Sequence, residues 1–253
     1  MSRRPSIKVG DIFTTNNGGD VVVLVYKSYI EVLVEFVATG TNKWCQAGDL
    51  RKGNVRDQHQ ASLYGVGITG DVPTEIKGVR TPVYEAWKRM LERCYSDNFH
   101  KTNPTYVDCT VCEEWKFLPN FKEWFDENYI EGYQLDKDTL LKSNKLYSPE
   151  TCRYIPQRLN SLLVKNNVRR GNYKIGVSLY TRNKINPYVA QVQLGSGDPE
   201  HIGYYPTEED AFQAYKKTKE VYIKQEAKYY YDLGQIDLEF KIVLDNYIVE
   251  DSD

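Results

Sequence analysis

Between Tyr188 and Leu194 the chain alternates, and no other stretch limits its fold so much. Ala190, Val192 and Leu194 fall on one side, and Val189, Gln191 and Gln193 on the other. Successive side chains of a strand point to opposite faces, so one face needs an apolar cover and the other is open to solvent. The cover lies close by. Thr207-Glu208-Glu209 opens a helix whose apolar side is Ala211, Ala214, Tyr215 and Val221. With strands at Tyr173 to Tyr180 and His201 to Tyr205, residues 171–228 predict three strands backed by one helix. Gln191 and Gln193 then turn outward beside Lys174, Ser178 and Arg182. Such a face can enter a DNA major groove, where amides read adenine, a guanidinium reads guanine and lysine holds phosphate. An ordinary solvated sheet face looks the same in sequence.

Charge separates along the chain. The 33 basic and 35 acidic residues leave a net charge of −2, so there is no global pull toward nucleic acid. Yet Lys165, Arg169, Arg170, Lys174, Arg182 and Lys184 occupy residues 161–190 without one acid. The end reverses this: Asp232, Asp237, Glu239, Asp245, Glu250, Asp251 and Asp253 face only Lys241. That terminal stretch also holds Leu238, Phe240, Ile242, Val243, Leu244, Tyr247 and Ile248. It is too apolar for a loose tail and is expected to fold back or meet a partner.

The remainder divides by period. Residues 1–80 read as a β-rich module, with runs at Val21 to Tyr26 and Tyr29 to Ala38 bounded by Gly and Asn clusters. Residues 81–165 change to helical spacing. Thr81-Pro82 starts a helix carrying Val83, Trp87, Met90, Leu91 and Cys94. A second, from Glu113 to Asn128, carries Trp115, Leu118, Phe121 and Phe125. After an extended piece at Tyr133 to Leu135 and a polar loop from Asp138, Ser148-Pro149-Glu150 predicts a third helix with Ile155, Leu159, Leu162 and Leu163 inside. Trp87, Trp115, Phe117, Phe121, Trp124 and Phe125 are expected in the core. The four blocks are therefore 1–80, 81–165, 171–228 and an acidic segment 229–253, in a multidomain α+β protein. No window is apolar enough to span a membrane, and the start leads into no secretory segment.

Two resemblances attach to these blocks. Gly176-Val177-Ser178, then Tyr188-Val189-Ala190-Gln191-Val192-Gln193, then Ile202-Gly203-Tyr204-Tyr205 and the helix through Tyr215 resemble an AP2 DNA-binding domain. The resemblance implies a three-stranded sheet docked on double-stranded DNA, with contacts at Ser178, Arg182, Tyr188, Gln191 and Gln193. Arg169, Arg170, Lys174 and Lys184 would add phosphate contacts. Plant members carry Arg at the positions of Ser178 and Gln193, and Trp at that of Tyr188.

Leu135-Asp136-Lys137-Asp138, followed by Tyr147 through Asn160, resembles the strand–strand–helix metal core of HNH endonucleases, especially the phage-encoded homing type. The resemblance implies that Asp136 and Asn160 hold one Mg²⁺ or Mn²⁺, whose hard oxygen chemistry stabilises a leaving phosphodiester oxygen. Lys137 stands where the family has its general-base His, and an unperturbed lysine takes up no proton near neutral pH. A capped loop with solvated acids is the plainer interpretation.

Cys109-Thr110-Val111-Cys112, with Cys94 and Cys152, could close a structural zinc site, although buried cysteine is the commoner outcome. The five cysteines, an odd number, argue for a reducing compartment. The expectation is a double-stranded DNA-binding protein, encoded by a phage and placed in the bacterial cytoplasm, with metal-dependent endonuclease chemistry. The alternative is a catalytically silent DNA-binding regulator, or a phage factor that meets a host protein through the N-terminal module.

Overall fold

The computed structural model describes residues 6–16, 19–138, 144–163, 173–194 and 199–250. The protein is mixed α+β with several small sheets. Its backbone divides into two compact units, residues 1–127 with 145–148, and residues 128–144 with 149–253. That division does not follow the blocks read from sequence. The block 81–165 is shared between the units, and 229–253 belongs to the second.

The first unit opens with an antiparallel sheet of β1 (Ile12–Thr14), β2 (Asp20–Ser28), β3 (Glu31–Phe36) and β4 (Asn42–Cys45), in that order. Val21, Val23, Val32, Val34 and Phe36 point to one side, as the period of two requires. Ala47 and Leu50 of α1 (Ala47–Arg51) complete that core. A short hairpin, β5 (Glu75–Ile76) and β6 (Val79–Arg80), precedes α2 (Pro82–Tyr95). The α2 start matches its sequence signals. The Thr81 hydroxyl accepts the Tyr84 N–H, and Pro82 spends no needed donor in the first turn. All five residues of its expected apolar face are buried.

α3 (Asp97–Thr102) follows, capped by Ser96. The expected second helix is split into a 3-10 turn at Glu114–Lys116 and α4 (Leu118–Asn128). Trp115, Leu118, Phe121 and Phe125 are buried as expected. Trp87 Nε1 donates to the Trp115 carbonyl at 2.6 Å, which satisfies a buried indole N–H. β7 (Thr110–Val111) pairs in parallel with β9 (Leu146–Tyr147).

The second unit contains the antiparallel pair β8 (Tyr133–Asp136) and β10 (Arg153–Pro156), then α5 (Gln157–Leu163). Here the expectation of a helix from Ser148 is corrected. The chain turns at Pro149, runs extended through Arg153–Pro156 and becomes helical only at Gln157. Pro156 explains this. It disfavours a helical Ile155 and has no N–H for a helical bond to Cys152, so a helix through both is interrupted.

β11 (Val177–Leu179), β12 (Tyr188–Val192) and β13 (Glu200–Tyr205) form an antiparallel sheet in chain order, and α6 (Glu208–Asp232) lies on it. Ala190 and Val192 pack with Ala211, Phe212 and Tyr215. Further along, Ile223 and Ala227 of α6 pack with Ile155, Leu159 and Leu162, and with Phe240 and Leu244 of α7 (Leu238–Asp245). Val221, expected inside, is exposed, and Ile223 takes that role. A 25-residue helix covers two different partners, so no single apolar stripe serves its whole length. The acidic segment folds back as expected: Val249 is buried with Ala190 and Ala211, and its N–H donates to Glu220 Oε1 at 2.9 Å. Among the described residues no helix is long and apolar enough to cross a membrane.

Candidate functional site

The register of β11–β13 sorts every described candidate by face. Val177 pairs with Ala190, Ser178 with Val189 and Leu179 with Tyr188. Across β12, Val189 pairs with Tyr204, Ala190 with Gly203 and Gln191 with His201, past an irregularity after Ala190. Residues directly opposite share a face. The face away from α6 therefore carries Ser178, Val189, Gln191, His201 and Tyr204, with Gln193 continuing it. Gln191 and Gln193 are exposed, as alternation demands.

Tyr188 is corrected by the same register. It has the parity of Ala190 and Val192, and it packs against the core under α6 rather than facing outward. Its ring meets Tyr173 edge-on at 6.0 Å. Lys174 is also placed differently from the expectation. Its backbone N–H donates to Glu208 Oε1 at 2.6 Å, its ammonium pairs with Glu209, and Nζ lies 5.0 Å from the Phe212 ring centre. Lys174 and Gln213 together hold the Glu209 carboxyl below the usual carboxylate range, the Lys174 hydrogen bond being the larger cause. The lysine fastens the chain to the start of α6 and is not extended toward a ligand.

Arg182 and Lys184 are exposed on the β11–β12 connection and make no ion pair among the described residues. Asn183 shapes that tip, because its Oδ1 accepts the N–H groups of Ile185 and Asn186 at 3.2 and 3.0 Å. Ile185 stands 83% exposed beside the two cations. Lys165, Arg169 and Arg170 lie outside the described residues.

The sheet also gathers three rings that sequence reasoning passed over. Tyr204 lies 5.7 Å from Tyr180 and 4.8 Å from His201, centre to centre, both tilted. The available signal was parity across the sheet. It needed the β12–β13 register, which an irregularity shifts by one residue.

β8, β10 and α5 bring Asp136 and Asn160 to one side of a hairpin. Asn160 Nδ2 donates to Gln134 Oε1 at 2.6 Å, and Gln134 shares the face of Asp136 two residues along β8. Asp136 Oδ2 accepts the Asp138 N–H at 3.0 Å. The pair offers one carboxylate and one amide oxygen, a short donor set for a catalytic divalent ion. Arg153, directly across from Asp136, adds a positive charge. Lys137 is 5% exposed, and its Nζ donates to Asp138 Oδ1 at 2.6 Å and to the Asn144 carbonyl at 2.8 Å. These two bonds hold the Nζ group as a donor within its own loop. Among the described residues this donor set is smaller than a hydrolytic metal ion commonly takes from a protein.

Cys94 and Cys109 are buried in the first unit, Cys112 is half-buried there, and Cys152 is buried in the second. Among the described residues no group of three or more His, Cys, Asp or Glu side chains is placed to hold a metal ion. The zinc expectation for these four thiols therefore gains no support, and their burial suits packing. Comparison of the chain with family models, curated protein sequences and solved structures returns no match.

Proposed function

We propose that this protein binds double-stranded DNA through the β11–β13 sheet and the β11–β12 tip of its second unit, and that it acts by binding rather than cleavage. The observation that carries this reading is the outward face. It presents Ser178, Gln191 and Gln193, with no carboxylate at the described outward strand positions, next to Arg182 and Lys184. Amides and a hydroxyl on a pleated surface reach base edges, while the two cations reach phosphates. Three antiparallel strands covered by one helix are also the arrangement that the AP2 resemblance implies.

The strand–strand–helix formed by β8, β10 and α5 has the order of the HNH resemblance. Its donor set and the engaged Lys137 favour a scaffold that has kept the shape without the chemistry. That is the regulator alternative, and the phage setting in a bacterial cytoplasm rests on the resemblances alone. A host protein met through the N-terminal module belongs to that same alternative.

The test is fluorescence anisotropy with labelled duplex at several salt concentrations. Binding should weaken steeply with salt. Arg182→Ala with Lys184→Ala should flatten the log–log slope by about 2, one for each phosphate no longer neutralised. Absence of duplex binding at low salt overturns the reading. Incubation with plasmid in Mg²⁺ or Mn²⁺ should leave it intact; nicking that Asp136→Ala abolishes would restore the endonuclease.

A further inference from the structure

Tyr180 and Tyr204 are 40% and 43% exposed, and His201 is exposed beside them. They are in mutual contact through Tyr204, on the same outward face as Gln191. Val189, opposite Tyr204, is buried although it lies outside the core under α6, so this face has a small apolar patch of its own. The three rings are contiguous rather than scattered, and contiguity is what marks an interaction surface. A paired duplex does not call for such a surface. Its base faces are covered by their neighbours, and a major groove offers edges. Flat rings on a sheet match the face of a base that has left its stack, whatever its identity.

We propose that Tyr180, Tyr204 and His201 form a stacking platform for unpaired bases, so that the protein prefers DNA containing an opened segment to fully paired DNA. Gln191, directly opposite His201, stands where its amide can meet the edge of a base stacked there. Arg182 and Lys184 follow Tyr180 on the β11–β12 connection, exposed, and would hold the strand's phosphates. The described outward strand positions of the face carry no carboxylate that would repel a polyanion. This inference rests on the DNA-binding reading and adds the form of DNA selected.

The experiment compares the full chain's affinity for three labelled probes: a paired duplex, the same duplex with a short internal mismatch bubble, and the single strand. The bubble should bind about tenfold tighter than the paired duplex, the stacking of roughly one base. Tyr204→Leu should bring the ratio of bubble to duplex affinity to about one, while Tyr204→Phe, which keeps the ring, should retain the ratio of the wild type. Circular dichroism of both variants checks the fold. Equal affinity for bubble and duplex, or a preference that survives Tyr204→Leu, overturns the platform and leaves duplex binding standing. No binding to any probe at low salt overturns both. Tight binding to the single strand with none to duplex supports the platform and overturns the double-stranded reading.

Discussion

Lys137 and Asn144 bond each other twice. Lys137 Nζ donates to the Asn144 carbonyl at 2.8 Å, and Asn144 Nδ2 donates to the Lys137 carbonyl at 2.9 Å. The two residues clasp the base of the connection after β8, and Asp138 joins from one side. A buried ammonium is tolerated where its donors are used, and here two acceptors are in place. The residue in the general-base position of the HNH resemblance is thus a fastener.

Lys137→Met should therefore destabilise the second unit by about 1–3 kcal/mol, the cost of losing the Nζ hydrogen bonds at a part-buried site. The ion pair adds little, because the Asp138 side chain is half exposed. All four tryptophans lie in the first unit, so their fluorescence reports on that unit. Urea unfolding followed by far-ultraviolet circular dichroism should shift more than the fluorescence transition. Lys137→His should confer no cleavage in Mg²⁺ or Mn²⁺; nicking by that variant would reverse our view of Asp136 and Asn160.

Glu209→Gln should strengthen duplex binding several-fold and steepen its salt dependence by about 1, because the Lys174 charge is then no longer offset by the neighbouring carboxylate. Unchanged salt dependence would mean Lys174 cannot reach a phosphate. The wild-type pair also carries a pH signature. The Glu209 carboxyl is held low in the folded state, so its contribution is present above the unfolded value of about 4.3 and is lost as pH falls through the folded value. The variant should lack that acid sensitivity, and thermal melts between neutral and acidic pH measure it.

Gly176→Ala should cost on the order of 3 kcal/mol. Gly176 has φ +73°, in the left-handed region, and a Cβ there would collide with the Tyr215 ring. Tyr215 is buried in the core under α6, so the ring cannot swing clear without opening the sheet. A thermal midpoint equal to wild type would contradict this packing.

Alkali should unfold the second unit through Tyr154. Burial raises the Tyr154 hydroxyl well above its ordinary value of about 10, with Tyr129 and Cys152 adding to the shift. Its folded form stays protonated when the unfolded form ionises. The stability it lends is complete below about pH 10 and is lost as pH rises toward the folded value. Tyr154→Phe should move the alkaline midpoint upward in circular dichroism. An unchanged midpoint would show that another group controls the transition.

Much of this was legible because it is local. The α2 face of Val83, Trp87, Met90, Leu91 and Cys94, the Thr81 cap and the outward turn of Gln191 each follow from a repeat of 3.6 or 2 residues. Tyr188 could have been assigned to the inner face by the same parity with Ala190. The Ser148 signal misled because Ser-Pro-Glu opens turns as readily as helices, and Pro156 eight residues later ruled the helix out.

What the sequence determined alone is which residues of each element look the same way, and where caps and breakers interrupt them. The tertiary structure decided which faces meet. It turned Lys174 toward Glu209, closed Lys137 on Asn144, aligned Tyr180, Tyr204 and His201, and laid α6 over two separate cores. Periodicity acts over a few residues along the chain, while strand register and helix packing are set by contacts between residues far apart in it, and these decide whether a charge is spent internally or left for a ligand.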